Sequence, residues 1–291
     1  MDAVEGPRSG AATSRPGGRA VGLALSCHPG PVAAVSALTV ALCVLVGLSA
    51  PRCLLVGGAV LTGQLSVGWC NDAFDVRRDA AAGRRGKPVA RGAVSPGAVW
   101  AAAFGALALC VPLSLACGLL AGAVHLTGVA AAWAYNVRLK ATALSWLPYA
   151  IGFGTLPAVV TLSLPGHPWP AWWATAAGAL LGVAAHLADS LGDIPDDVAA
   201  GIRGLPHRLG VTGTRLSLPV PLVAATAVLA LGPEGTAGVD GVAVALVAGA
   251  AAVGLAGPVP GRWWRKTAFA GAVAVAAADV ALLLARGSSI V

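Results

Sequence analysis

The sequence predicts an all-α membrane protein of about nine transmembrane helices with its N-terminus inside. Three observations predict it. Apolar residues arrive in blocks of about 20, the length a helix needs to cross a hydrocarbon core. Only 11% of the 291 residues are charged and 57% are hydrophobic, with a mean hydropathy of +0.80. Soluble domains carry roughly 25% charged residues. Finally, the basic residues sort to one side once the blocks are read as alternating spans.

The first thirty residues, with the run GPRSGAATSRPGG, read as a disordered cytoplasmic tail, and residues 31–291 as a single polytopic membrane domain. A secretory signal would carry its apolar core nearer the start. Apolar blocks follow at about 32–49, 52–70, 96–117, 119–137, 141–164, 169–189, 213–232, 239–257 and 267–285. Ala, Gly and Val dominate them, which suits membrane helices packed closely at small residues. No block alternates with period two, as the strands of a membrane barrel do. With the N-terminus inside, only Arg52 and Arg286 of the 19 Lys and Arg fall outside, the distribution that the positive-inside rule describes. It accounts for the net charge of +7 without any nucleic-acid partner. The six cysteines (Cys27, Cys43, Cys53, Cys70, Cys110, Cys117) form no CxxC pair or metal spacing, so neither a disulfide framework nor zinc is implied. Trp172, Trp173, Trp263 and Trp264 flank span ends, where an interfacial aromatic belt is expected.

Acidic residues carry the chemistry. The chain has 12, and seven of them stand in two stretches at the inner ends of the second and sixth spans: NDAFDVRRDAAAG from Asn71 and DSLGDIPDDVAAG from Asp189. At one offset Asp75 matches Asp193, Asp79 matches Asp197, Gly83 matches Gly201, and Asn71 stands opposite Asp189. Two copies of one oxygen-ligand motif suggest a duplicated helical unit with its site at the interface. Residues 71, 75 and 79 lie on one helix face, as do 189, 193 and 197 if Pro195 does not break the helix first. Hard oxygens at this spacing suit Mg2+, which favours a few carboxylates plus bound phosphate oxygens over a closed protein cage. Without a cation, so many converging aspartates would repel one another. The metal-ligand set read from the motifs is Asn71, Asp72, Asp75, Asp79, Asp189, Asp193 and Asp197. The inner loops add Arg84, Arg85, Lys87, Lys140 and Arg203 as candidates to hold phosphate oxygens. Basic inner loops are general among membrane proteins; Lys87, fixed before Pro88, and Lys140, in AYNVRLK, stand out from that background.

At these residues the sequence resembles the UbiA family of intramembrane prenyltransferases. Asn71, Asp72, Asp75 and Asp79 match the family's NDxxDxxxD motif, and KPVARGAVSP resembles its basic–Pro stretch. Asp193, Asp197, Gly201, Leu205 and Pro206 match its second motif, and Tyr135, Leu139 and Lys140 a Tyr and Leu-Lys element between the two. Asp189 and Ser190 stand where relatives vary. The resemblance implies a UbiA-type bundle in the cell membrane with its active site on the cytoplasmic side. It implies transfer of an isoprenyl group from an Mg2+-bound prenyl diphosphate to an aromatic or lipophilic acceptor. Lys87, Tyr135, Lys140 and Arg203 would bind the diphosphate, and no further catalytic residue is implied. An intramembrane terpene cyclase would use the same site. A CDP-alcohol phosphotransferase lacks support, because its leading DxxDG…AR segment is absent. A transporter would place its acidic site near the midplane rather than at one face.

Three titratable residues stand apart from the basic set. Asp279 sits inside a span, where an ionised carboxylate is costly and a hydrogen bond to another helix is the ordinary explanation. His186 shares a face with Asp189 and would orient a ligand, accept a proton or pack as a hydrogen-bonder. His125 has no such neighbour.

Overall fold

The computed structural model describes residues 16–81, 83, 86–232 and 263–291, apart from the side chains of 16–17, 263–273 and 288. Among these residues the chain is helical, with no strand. The helices are α1 (Pro16–Leu25), α2 (Pro29–Leu45), α3 (Ala50–Ala81), α4 (Pro96–Ala116), α5 (Leu119–Val137) and α6 (Leu147–Thr161). They continue with α7 (Trp172–Leu191), α8 (Ile194–Ala199), α9 (Leu205–Ser217), α10 (Pro219–Leu231) and α11 (Trp263–Ala285). Every expected apolar block except 239–257 carries a helix; that block lies outside the described residues. Among the described residues, three helices (α3, α4 and α7) are long and apolar enough to cross a membrane, or up to five spans if two bent pairs are counted. Those pairs are α1 with α2, bent by 59°, and α9 with α10, bent by 46°.

Proline and serine punctuate the chain as a string of helices requires. Pro29, Pro96, Pro148, Pro206 and Pro219 stand in the first turns of α2, α4, α6, α9 and α10, where the missing N–H would lack an intrahelical partner anyway. The Ser95 hydroxyl accepts the Ala98 amide at 3.3 Å and caps α4.

Neighbouring helices pack in sequence: α2 on α3, α3 on α4 and α5, α5 on α6, α6 on α7, α7 on α10, and α10 on α11. The C-terminal end then returns to α2. Ile290 is buried in the main apolar cluster with Leu42, Val56, Leu162 and Trp173, and its carbonyl accepts the Ala171 amide at 2.6 Å. Small residues set how closely the helices approach. A Cβ on Gly182 of α7 would stand 2.3 Å from the Tyr149 carbonyl oxygen of α6, and one on Gly178 2.7 Å from the Phe153 carbonyl oxygen, so this seam requires positions without side chains.

Two expectations need correction. Residues 16–25, assigned to the disordered tail, form α1, and Leu23 explains why: its carbonyl accepts the Trp69 indole N–H of α3 at 2.9 Å. Residues 1–15 lie outside the described residues. Trp173 is 2% exposed and belongs to the core rather than to an interfacial belt, while Trp172 is 66% exposed. The side chains of Trp263 and Trp264 are not described.

Candidate functional site

The first acidic stretch lies on one unbroken helix. Asp72, Asp75 and Asp79 of α3 are all buried, and each carboxylate meets a cation. Asp72 accepts from Lys87 Nζ at 2.6 Å and contacts His28 Nε2 at 2.9 Å. Asp75 accepts from both Lys140 and Arg78. Asp79 pairs with Lys87 at 3.4 Å, and the amide oxygen of Asn71 lies 3.4 Å from the same ammonium. One Lys87 nitrogen therefore stands among the oxygens of Asn71, Asp72 and Asp79.

That position reports on metal fit. The donors are hard oxygens converging on one cation-sized point, as a divalent ion with a bound phosphate prefers. Among the described residues no group of three or more His, Cys, Asp or Glu could hold an ion by itself. Helix geometry explains this, because successive carboxylates at i and i+4 are about 6 Å apart along the axis. The donor set fits a cation shared with phosphate oxygens, not a closed cage.

The second stretch is built differently from the expectation. α7 stops at Leu191, four residues before Pro195, and α8 begins at Ile194. Proline has no N–H, and its ring collides with the carbonyl four residues earlier. Asp189, Asp193 and Asp197 are therefore not on one helix face: Asp189 lies in the last turn of α7, Asp193 occupies the N-cap of α8, and Asp197 lies within α8. Asp189 and Asp193 are exposed and Asp197 is half-buried. The repeat survives at its ends. Gly83 (φ 65°) and Gly201 (φ 84°) both adopt the left-handed conformation that ends each copy, and each amide donates three residues back, to Ala80 and Val198 at 3.1 Å.

Tyr135 stands near both stretches, where the charges of Asp189, Asp197 and Asp75 act on it. Asp189 in turn lies within reach of His28 and Lys87. Tyr135 packs edge-on against Tyr149 (5.1 Å) and His186 (5.7 Å), and the Tyr149 hydroxyl donates to Asp189 at 3.2 Å.

The two lysines differ in character. Burial lowers the pKa of Lys87, but the carboxylates of Asp72, Asp79 and Asp75 outweigh it and raise it above that of an ordinary lysine. At Lys140 burial dominates even against Asp75, and the pKa falls below the ordinary value. Lys140 also stands 5.1 Å above the Phe74 ring, a cation–π contact. Arg203 is exposed on the turn between α8 and α9; Arg84 and Arg85 lie outside the described residues.

Several residues at this end were not singled out by the sequence. Arg78 is visible as the i+3 partner of Asp75, and Tyr149 as one of only two tyrosines in the chain. Asn136 sits beside Tyr135 and ties Asn71 Nδ2 (3.1 Å) to α5, while its own amide donates to the Val67 carbonyl at 2.9 Å. His28, at φ 58°, and His207, 3.2 Å from Asp197, carry no local signal that their sequence neighbourhoods reveal. His125 bonds the Ser114 hydroxyl at 2.7 Å, and the Thr226 hydroxyl donates to Asp279 at 2.6 Å; both are packed hydrogen-bonders.

The model described as the UbiA prenyltransferase family matches residues 31–272. No curated protein sequence matches the chain. Among solved structures it resembles a digeranylgeranylglyceryl phosphate synthase in membranes, at 13% identity and a TM-score of 0.68, with 93% of this chain and 99% of that one covered. A UbiA homologue from Archaeoglobus fulgidus bound to GPP and Mg2+ is 15% identical, with a TM-score of 0.66 and coverage of 90% and 99%. An apo UbiA homologue from Aeropyrum pernix K1 is 21% identical, with a TM-score of 0.63 and coverage of 85% and 96%.

Proposed function

The chain belongs to the UbiA prenyltransferase family, and from that premise we propose that it is a membrane enzyme transferring an isoprenyl group from a prenyl diphosphate to an aromatic or lipophilic acceptor. The observation that carries this reading is the gathering of Asn71, Asp72 and Asp79 around one Lys87 ammonium, with Lys140 on Asp75 beside it. A cation site edged by lysines, at the end of an apolar bundle, has the chemistry of a diphosphate site. The homologue from Archaeoglobus fulgidus bound GPP and Mg2+, which supports the same ligand pair here.

In this reading Asn71, Asp72, Asp75 and Asp79, together with Asp189, Asp193 and Asp197, would hold Mg2+. Bound Mg2+ neutralises charge on the diphosphate and makes it a better leaving group. Lys87, Lys140 and Arg203 donate to phosphate oxygens, and their charges stabilise the electron pair that leaves with the diphosphate when the allylic C–O bond breaks. The Tyr135 hydroxyl would help orient that head group. The acceptor then forms its bond to the allylic carbon and releases a proton. The prenyl tail extends into the apolar bundle. Nine spans with the N-terminus inside, a place in the cell membrane and a site facing the cytoplasm complete the proposal.

The test is pyrophosphate release by purified protein from prenyl diphosphates of several chain lengths, with and without Mg2+, with products read by mass spectrometry. Mg2+-dependent release with a prenylated acceptor is the expected result. A cyclised hydrocarbon in place of a prenylated acceptor would convert the reading to a cyclase.

A further inference from the structure

We infer that Ser145 is a positioning residue, whose single hydroxyl fixes the separation between the lysine of the α5–α6 connection and the second acidic stretch. The inference rests on the proposed function for what is being positioned, and on the following geometry for the rest.

Ser145 is 0% exposed. Its Oγ lies 2.9 Å from His186 Nε2 of α7 and accepts the Leu205 amide, the first residue of α9, also at 2.9 Å. Three segments that are distant in sequence therefore meet at one oxygen, and each leads directly to a site residue. Lys140 lies five residues before Ser145 in the same short connection, which is tied by turns from Thr142 to Leu139 and from Ser145 to Thr142. His186 lies one turn before Asp189 on α7. Leu205 precedes His207, whose Nε2 is 3.2 Å from Asp197 Oδ2. Tyr149, one turn after Ser145, packs at a tilt against His186, with ring centroids 4.9 Å apart, and donates to Asp189.

Gly204 provides an independent sign that this separation is set. A Cβ there would stand 2.5 Å from the Lys140 carbonyl oxygen and 3.0 Å from both Ser145 Oγ and His207 Nδ1. The backbone of the α8–α9 connection thus lies directly against the backbone of Lys140. The hydroxyl bonds it there, and the missing side chain lets it approach. Without the hydroxyl, a half-buried amide and a buried imidazole nitrogen both lose their partner, and the segments carrying Lys140, Asp189 and Asp197 lose their common anchor. The diphosphate must be gripped from both sides as its bond breaks, so a small shift acts on the rate more than on binding.

The experiment compares wild type, Ser145→Ala, Ser145→Thr and Gly204→Ala in detergent. Hydrogen exchange is followed over residues 203–209, with kcat and KM for the prenyl diphosphate measured alongside. Ser145→Ala is expected to speed exchange at Leu205 by about tenfold or more and to lower kcat by roughly 10- to 100-fold, leaving KM within about threefold. Ser145→Thr, which keeps the hydroxyl, restores both. Gly204→Ala keeps the hydroxyl too but forces the backbones apart, and reproduces the kcat-led loss if Thr proves too large to fold at this site. Unchanged exchange in Ser145→Ala overturns the bridge. Faster exchange with unchanged kcat overturns the positioning role, as does a loss that falls on KM alone. The wild-type chain separates the two claims: if it releases no diphosphate, the proposed function fails, while exchange at Leu205 still decides the bridge.

Discussion

At the scale of the residue, the proposed function gives Lys87 opposite effects on two ligands. Its ammonium occupies the point shared by Asn71, Asp72 and Asp79, so under the proposed function it would compete with a divalent cation for those oxygens and attract the phosphate that arrives with the metal. Replacing it with a neutral side chain of similar length separates the two effects. Lys87→Met is expected to tighten binding of Mn2+ alone by roughly tenfold, equivalent to about 1.4 kcal/mol, and to weaken inorganic pyrophosphate by a similar factor. Electron paramagnetic resonance reads the first and calorimetry the second. Loss of both affinities would mean that Lys87 holds the loop in place instead. Residue types at the first cluster were legible in the sequence because spacing on one helix translates directly into a shared face. Ser145, His28 and His207 were not, because their partners come from other elements and are brought close only by the packing of the bundle.

At the scale of the element, the α6–α7 seam places Tyr149 beside Asp189. Gly182 helps set that seam, with its would-be Cβ 2.3 Å from the Tyr149 carbonyl oxygen. A backbone atom cannot move aside as a rotamer does, so Gly182→Ala must separate the two helices, at a cost of about 1–3 kcal/mol. The expected outcome is a lower thermal midpoint in detergent together with a fall in diphosphate release; a variant as stable and active as wild type would show that α6 and α7 are free to slide. The two acidic stretches teach a different lesson. Their repeat was legible letter by letter, and the shared glycines end both copies in the same backbone conformation. One letter, Pro195 against Arg77 in the aligned copy, breaks the second helix and turns Asp193 into an N-cap. The periodicity argument holds for α3 and fails after α7 because it presumes a continuous helix.

At the scale of the molecule, hydropathy located the helices well because each expected block is a local property of the chain. How those helices close into a ring is not local: Ile290 enters the main cluster and bonds the start of α7, and α1 folds back onto α3 through Trp69. The proposed orientation gives a direct expectation. Cysteines introduced one at a time at exposed Ala199, beside the acidic stretches, and at exposed Pro165, in the α6–α7 turn, should react with an impermeant maleimide from opposite sides of the membrane, the six native cysteines being buried. In intact cells only Pro165→Cys is expected to label; labelling of Ala199→Cys instead would invert the topology. The central claim, that both acidic stretches hold one metal–diphosphate complex, is tested most directly by Mg2+-dependent pyrophosphate release from a prenyl diphosphate by wild type, Asp75→Ala and Asp193→Ala, each first shown to reach the membrane at equal levels. The account predicts that each substitution lowers release by about 100-fold or more. Release near the wild-type rate from either variant would contradict it.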